Sequence, residues 1–535
     1  MTFASVSELI RPSRTPGPPA GLSVAADKVA RMARIAVIGA GMGAMAAAAR
    51  LAVAGHRVVV YERTETYGGA VGRFERDGFA FDTGPGLLPL PAVYRDLFIK
   101  TGKEPLEECV ELVRVDPAAR HVFPDGTDVL LPNASRAGAV GALNTALGSG
   151  AGDRWGDFLV RAREAWDRTR RPLLEEPLWA DWQVLGEREP YPAVPHRRLL
   201  RTRRASTLAE IGAYELRDAR LTALLESHAL AYGLDPRTAP ASAAVLPYMD
   251  HAFGTWYVRG GMRELARALY ERCRARRVEF VFGAEVVRIV EKDGRAAGLE
   301  LADRTVAEAD HVVAAVAPAR VAGLTERPLQ EDGDVRPGRR PALAGRFTVL
   351  LALRGGPEAG AAHRTVVHAP DRAAELDFLS GRAGAGDPAR PTVTVLRPDD
   401  PALRPDDGHE SVVVSAAAPL TAGREAAGTA ERFAELLVTA AESAVPGLRE
   451  RLLWREVRTP AHTARETGAE DGSVSPPALA AAEGRFLLPG NTTRLPGLYL
   501  AGGWAHPGGG LPHAGMSGAL VAGLIVEGPD FRGSQ

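Results

Sequence analysis

The chain has 535 residues, 45% of them hydrophobic, and a formal net charge of −1. Such a length suits about three domain-sized units around a large buried core, and such a charge excludes a global basic field for nucleic acid. Only Cys109 and Cys273 are present, far apart and without a CxxC, which argues against a disulfide framework or a cysteine metal site and fits a reducing cytoplasm.

Residues 1–33 hold RPSRTPGPP and lack a long apolar core, so they are expected to form neither a signal peptide nor a strand but a mobile extension. Met32 stands just before the first apolar run, as it would if the extension came from an upstream start. No apolar run reaches the roughly 18 residues that a spanning helix needs. RIAVIG (Arg34 to Gly39) is short and β-branched and predicts a buried parallel strand. Ala44 to Ala54 is rich in Ala, Leu and Met and predicts a helix, stopped by Gly55. HRVVVYE then predicts a second strand ending at Glu62. Strand, GAGMGA turn, helix, strand and acid together make a dinucleotide-binding pattern. Gly39 allows the tight turn, Gly41 lets backbone approach a pyrophosphate, and position 44 has to be small so that helix and strand pack closely. Ala44 meets that last need. The helix start presents free N–H groups to phosphates, and Glu62 is placed to accept hydrogen bonds from a ribose hydroxyl pair.

Gly68-Gly69 follows the second strand and brings a second stretch of bare backbone towards the cofactor, a feature of many FAD enzymes and few NAD enzymes. Further on, Trp155, Trp166, Trp179 and Trp182, four of the seven tryptophans, precede VPHRRLLRTRRAS with Arg197, Arg198, Arg201, Arg203 and Arg204. Two readings stand open: core tryptophans beside a solvated charged helix, or a basic aromatic surface resting on an anionic membrane. Tyr248, Asp250 and His251 come before RGGM (Arg259 to Met262) and are candidates for a substrate wall. Arg263 to Arg277 predicts a helix, and the next stretch predicts strands with a hairpin at Lys292-Asp293-Gly294. Residues 345–354, 391–396 and 411–416 predict strands of a second sheet able to floor a cavity, and RPDDPALRPDDGHE between the last two predicts a loop. LPGLYLAGGWAHPGGGLPHAGMSGALVAGLIV (Leu495 to Val526) reads as a buried strand, a glycine turn and a small-residue helix. Gly502, Gly503, Gly508, Gly509 and Gly510 leave backbone free to approach a flat ring, with the helix N-terminus aimed at the flavin's pyrimidine edge.

The segments GAGMGAMAAAARLAVAGHRVVVYE, GGAVGRFERDGFAFDTGP, GTWYVRGGMRELARALYERCRARRVEFVFGAEVVRIV, PTVTVLRPDDPALRPDDGHESVVV and GLYLAGGWAHPGGGLPHAGMSGALVAG carry a resemblance to a family. The chain resembles bacterial phytoene desaturases and related carotenoid desaturases and isomerases, FAD proteins of the amine-oxidase-like superfamily, from about Arg34 to Ile525. GGWAHPGGGLPHAGMSG is slightly more similar to the hydroxycarotenoid 3,4-desaturase branch than to the phytoene branch. The resemblance implies an α/β fold with an α+β substrate portion. That fold is a Rossmann-like FAD-binding domain with a discontinuous second domain of mixed or antiparallel sheet and helices. The expected boundaries are residues 34–100, 245–320 and 485–530 for the FAD-binding domain, and 101–244 and 321–484 for the substrate-binding portion. The resemblance places the pyrophosphate at Gly39, Ala40, Gly41, Gly43 and Ala44 and the ribose at Glu62, with Arg63, Gly68 and Gly69 near the cofactor. It also sets the backbone of Val286 against the adenine, and Gly502, Gly503 and Met516 near the flavin. Many relatives carry GGR, whereas this chain has Ala70 and then Arg73. Either Arg73 substitutes for that arginine or the phosphate contact is missing.

A desaturase of this kind needs no strong acid or base, because positioning and exclusion of water carry the reaction. His506 and His513 flank the glycine turn and are the candidates to orient substrate or relay a proton. A structural role in the turn is the alternative for His506. No HExxH or two-His-carboxylate spacing is present, so no metal is expected, and no GxSxG or Cys/His arrangement points to a hydrolase. Three readings remain: a desaturase of a long lipophilic polyene, at the inner face of the membrane or in the cytoplasm; a flavin oxidase or dehydrogenase of a smaller natural product or amine; and a non-enzymatic prenyl-binding protein of the same architecture, as in Rab GDP-dissociation inhibitors.

Overall fold

The run RIAVIG forms the strand Arg34–Ile38, and its side chains divide between two faces in the period of two that a strand imposes. Ile35 and Val37 enter one apolar cluster and Ala36 and Ile38 another. Both faces are therefore buried, as a parallel sheet requires. The computed structural model describes residues 32–195, 202–326, 344–381, 390–420 and 428–533. Residues 1–31 of the expected extension, and Arg197, Arg198 and Arg201, lie outside the described residues.

Five strands make this first sheet, in the order Glu279–Val281, Arg57–Tyr61, Arg34–Ile38, His311–Ala314, Leu498–Leu500. Every pairing is parallel. The helices Met42–Val53, Met262–Ala275 and Leu511–Val526 contribute to the cluster on one face. An antiparallel sheet of Val286–Lys292, Arg295–Leu301 and Val306–Glu308 covers the other, with the expected hairpin between its first two strands. Each fully buried Val, Leu or Ile side chain stabilises such a core by about 1.5–3 kcal/mol. The small-residue character of the first and last helices follows from their packing. A Cβ at Gly518 would lie 2.5 Å from the Gly43 carbonyl oxygen, and one at Gly43 2.6 Å from the Gly502 Cα. Two backbones meet there, and Ala44 is wholly buried beside them.

The second sheet has seven strands, in the order Leu452–Arg458, Gly345–Arg354, His409–Ala418, Val393–Leu396, Arg364–Val367, Ala119–Val122, Asp128–Leu131. The pairings are antiparallel except that of Arg364–Val367 with Ala119–Val122, which is parallel. The expected loop 397–410 contains only the short helical turn Pro401–Leu403, and its last two residues already belong to a strand. Alternation again assigns the faces. Phe347, Val349, Leu351 and Leu353 pack under the helix Thr429–Ala441, whereas Arg346 and Thr348 look into a large cavity.

Helices Ala151–Arg170, Ala219–Leu230 and Val245–Phe253 form a third layer around one apolar cluster. Two of the four tryptophans belong to the packed interior and two are half-buried against neighbouring side chains. Trp155 and Trp166 are buried in that cluster, Trp182 packs against Leu173, and Trp179 Nε1 donates to Glu176 Oε2 at 3.1 Å beneath the Arg532 guanidinium. Arg203 lies 3.3 Å over the Tyr214 ring and Arg204 donates to the Glu189 carbonyl. Of the two open readings, that of core tryptophans is the one the packing favours. No helix among the described residues is long and apolar enough to cross a membrane.

Candidate functional site

A single cavity of about 1640 Å³ extends from the glycine turn to the second sheet. At its first end, Gly39, Gly41, Gly43, Ala44, Glu62, Arg63, Gly68, Gly69 and Val286 line it. Ala40 stands behind them, fully buried. Gly39 takes a left-handed φ of +91° and its N–H donates to the Tyr61 carbonyl, which makes the turn tight. Helix Met42–Val53 starts at Gly41 with no side-chain cap. Its first N–H groups therefore have no partner within the helix and point at the cavity. Glu62 is held at both oxygens: Oε2 accepts the Ala40 N–H at 2.8 Å, and Oε1 accepts the Thr64 N–H and hydroxyl at 2.9 Å. The Gly68 N–H donates to the Ala40 carbonyl at 2.8 Å, and a Cβ at Gly69 would sit 3.0 Å from the Gly41 Cα. The two glycine loops thus touch, and only bare backbone allows it.

Arg73 lines the cavity, but it is engaged with Glu75 at 2.7 Å and with the Gly260 carbonyl at 3.3 Å. The guanidinium that binds the second glycine loop is that of Arg263. It donates to the Tyr67 and Val71 carbonyls and to Thr66 Oγ1, and lies 4.0 Å over the Tyr67 ring. Sequence reasoning missed Arg263; its signal was an arginine directly after RGGM, at a helix start.

At the cavity's middle stand Gly502, Gly503, Trp504, Gly509, Gly510, Leu511 and Ala514. Helix Leu511–Val526 also begins without a side-chain cap, at Gly510. A Cβ at Gly41 would meet nothing nearer than 4.0 Å, and one at Gly502 nothing nearer than 3.9 Å. These are open cradles into which a methyl group would project, as a cofactor lying on backbone needs. Three expectations are corrected here. Met516 does not line the cavity; it packs with the helical cluster that holds Trp166. Two residues along a helix turn a side chain through about 200°, so when Ala514 faces the cavity Met516 faces away. His506 and His513 stand behind the wall rather than in it. His506 is fully buried, with Nε2 against the Glu176 carbonyl at 2.9 Å, and His513 is 5% exposed with Nδ1 unpartnered. Burial pushes both imidazoles down to about 4.

A buried neutral histidine contributes stability that is present above its ordinary value near 6.5 and is lost as pH falls through 4. Asp82, which burial raises to about 6, and Glu375, raised to about 7, act in the opposite sense. The readout is therefore a difference. His513→Gln is expected to lose less thermal stability between pH 7.5 and pH 5 than the parent, and an identical pH dependence would refute the assignment of a buried neutral imidazole.

Beyond the glycines the cavity is walled by His228, Tyr232, Leu246, Asp250, Arg346, Thr348, Arg364, Thr394, Leu396, Val413 and Ser415. Asp250 lies 3.4 Å from Arg364 and 3.7 Å from His228. Of the three residues expected at a substrate wall, only Asp250 lines it; Tyr248 packs on Trp166 and Phe253, and His251 is absent from the lining. Among the described residues no group of three or more His, Cys, Asp or Glu could hold a metal ion.

The model of the family described as flavin containing amine oxidoreductase matches residues 45–526. The chain is 29% identical to the 4,4'-diapolycopene oxygenase of a Methylomonas species, over 92% of this chain and 98% of that protein. It is 30% identical to the hydroxyneurosporene desaturase of Cereibacter sphaeroides, over 92% of this chain and 97% of that one. Among solved structures it is similar to an oxidoreductase from Methanosarcina mazei, with a TM-score of 0.61 and 19% identity, covering 91% of this chain and 99% of that one; at that identity the likeness speaks for the fold alone. Together with the uncapped helix starts and the bare glycine cradles, the match over most of its length shows that the chain belongs to the flavin-containing amine oxidoreductase family.

Proposed function

We propose that the protein is an FAD-dependent desaturase of a long lipophilic polyene, acting in carotenoid biosynthesis. The observation that carries this reading is the one continuous cavity, which joins a dinucleotide cradle to a chamber floored by the second sheet. Its volume of about 1640 Å³ exceeds the usual ~300–1,000 Å³ of a ligand pocket, as accommodation of both a cofactor and a long substrate requires. In this reading the first-turn N–H groups and Gly39, Gly41 and Gly43 hold the pyrophosphate, Glu62 the ribose, and Val286 and Arg63 border the adenine. Gly502 and Gly503 lie along the flavin. The FAD-binding portion is then residues 34–100, 245–320 and 485–530, the segments from which the strands of the parallel sheet come.

FAD, when bound, would supply the two-electron acceptor for a hydride given up by one carbon of a saturated C–C bond as the neighbouring carbon loses a proton, with oxygen or a quinone as the final acceptor. The chain's own contribution is position and dryness. Leu246, Leu396 and Val413 give the chamber apolar contact, and the uncapped start of Leu511–Val526 would offer partial positive charge to a flavin that gains negative charge on reduction. Neither His506 nor His513 is placed to receive the proton. A polyene resides in membranes, so the reading sets the protein peripherally at a bilayer, on the ground of substrate chemistry and not of its tryptophans.

The purified protein is expected to show flavin absorbance, and its expression in a phytoene-producing host to change the carotenoids formed. A protein that neither holds nor takes up flavin would leave only the prenyl-binding reading. Flavin with phytoene and all downstream pigments unchanged would favour the smaller substrate. That second reading has one observation on its side, the charged side chains of Asp250, Arg346 and Arg364 in the chamber.

A further inference from the structure

We propose that His228 is the base that takes the proton released in the desaturation, with the Asp250 carboxylate facing its ring to hold the charge it gains. This rests on the desaturase reading and assigns the step that His506 and His513, shut behind the wall, leave without a residue.

His228 stands on helix Ala219–Leu230, and its side chain, 13% exposed, lines the cavity. Its Nδ1 lies 3.1 Å from the Leu224 carbonyl one turn back. A carbonyl only accepts, so Nδ1 carries the hydrogen of the neutral ring and Nε2 keeps its lone pair. Nε2 has no hydrogen bond among the described residues and stands 3.7 Å from Asp250 Oδ2. The same oxygen accepts from Arg364 Nη1 at 3.4 Å, which fixes the carboxylate beside the ring. A carboxylate gives no bond to a lone pair, yet it attracts the ring once Nε2 is protonated. Four residues on, Tyr232 brings the same stretch of chain to the glycine turn, 3.5 Å from the position a Cβ would take on Gly510. About one helical turn, ~5.4 Å of rise, therefore separates His228 from the residue that touches the helix start at the flavin end. The other charged and titratable groups around it come from neighbouring strands. Arg364 belongs to Arg364–Val367; His368, just after it, and His121 of Ala119–Val122 are held neutral by burial, His368 down to about 3. Arg346 donates to the Ala231 carbonyl, at the end of the same helix, at 2.9 Å. Burial lowers His228 from its ordinary value near 6.5; Asp250 opposes that shift and Arg364 adds to it.

As a hydrogen leaves one carbon with both bonding electrons for the bound flavin, positive charge grows on that carbon and the hydrogen on its neighbour becomes acidic. The second C–H bond breaks towards Nε2: its electron pair becomes the new C=C bond, and its proton makes His228 an imidazolium, which later yields the proton to water. A weak base suffices for a carbon so activated, and a neutral imidazole with a fixed lone pair is such a base at neutral pH. Asp250 is a positioning residue: it acts through His228, by stabilising the imidazolium.

The test uses the full-length, flavin-loaded protein, reduced without oxygen by phytoene or its partly dehydrogenated products in phosphatidylcholine vesicles. Loss of flavin absorbance is followed from about pH 5 to about pH 8. The parent's rate is expected to fall with pH through a midpoint below 6.5, as His228 takes up a proton. His228→Gln is expected to lose about a hundredfold or more in rate, and the acid limb with it, at unchanged flavin content and thermal midpoint. Asp250→Asn leaves the base in place; it is expected to lose about tenfold and to move the midpoint to lower pH, a shift that a merely structural role does not produce. Diethyl pyrocarbonate gives a readout apart from turnover: mass spectrometry is expected to find His228 carbethoxylated, and protected when the polyene is present. If His228→Gln fails to fold, Asp250→Asn and the reagent decide. A His228→Gln protein as fast as the parent, an Asp250→Asn midpoint at or above the parent's, or a His228 that the reagent does not reach would overturn the assignment and leave the desaturase reading standing. If none of these polyenes reduces the parent's flavin, the desaturase reading falls and the assignment falls with it.

Discussion

Gly41→Ala is expected to yield a folded protein that has lost most of its affinity for FAD. The backbone at Gly41 has φ −73° and ψ 172°, which alanine adopts freely, and the added Cβ would touch only the Gly69 Cα, at 4.0 Å. The methyl therefore costs the polypeptide little. It occupies the space where the pyrophosphate has to approach the uncapped N–H groups of Met42–Val53, and an anion held further from those donors loses both contact and charge attraction. A loss of about a hundredfold, or about 2.7 kcal/mol, is expected in a flavin titration of the apoprotein, with the apoprotein's own thermal midpoint unchanged. Gly43→Ala provides the contrast. Its Cβ would lie 2.6 Å from the Gly502 Cα and 2.9 Å from the Ala514 carbonyl oxygen, so it forces two chain segments apart and is expected to lower stability even without flavin. If Gly41→Ala binds FAD as the parent does, the pyrophosphate does not lie on this turn.

Replacing Glu410 by leucine is expected to be the most destabilising single change in the second sheet. Glu410 is wholly buried on the strand His409–Ala418 and takes two arginines at once: Arg397 at 2.7 and 3.1 Å and Arg451 at 2.6 Å. Arg397 is itself 3% exposed, and its remaining bonds are to the Ala444 carbonyl at 3.0 Å and to the half-exposed Glu358 at 3.5 Å. Removing one partner from such a group leaves buried positive charge without compensation, which costs about 3–5 kcal/mol. The guanidinium-chloride midpoint should fall accordingly, with the slope unchanged if the transition stays two-state. Glu410→Gln keeps the shape and an acceptor and should lose less. The same strand presents Val413 and Ser415 to the cavity, so a loosened strand is also expected to weaken substrate binding. A midpoint equal to the parent's for Glu410→Leu would mean that the arginines find other partners.

Much of the cofactor end was legible in the linear sequence because its chemistry is local. Turn, helix start, second strand and acid occupy one short stretch, and the sterics of Gly39 and Ala44 follow from chain geometry that holds in any such unit. The strands at 345–354 and 391–396 were legible for a similar reason, since short runs of apolar and β-branched residues such as TVLLAL and TVTVL favour extended chain locally. Reading direction off sequence proximity failed where a helix intervened. Met516 and His513 stand next to the glycine turn in the chain, yet a helical residue's facing changes by about 100° per position, and both turn into the packed interior. The tryptophans left two readings open for a related reason: an aromatic cluster beside arginines has the same composition whether it lies on a surface or fills a core.

The sequence by itself therefore determined the glycine turn, the strands of the second sheet and the family, all of which depend on residues that are neighbours along the chain. Only the tertiary structure decided that Arg263 ties down the second glycine loop, that His506 and His513 are neutral groups behind the wall, and that Tyr232, Asp250, Arg346 and Arg364 share one chamber. Those residues sit on separate helices and strands, and their charges come to face one another only when the seven-stranded sheet closes over the helical layer.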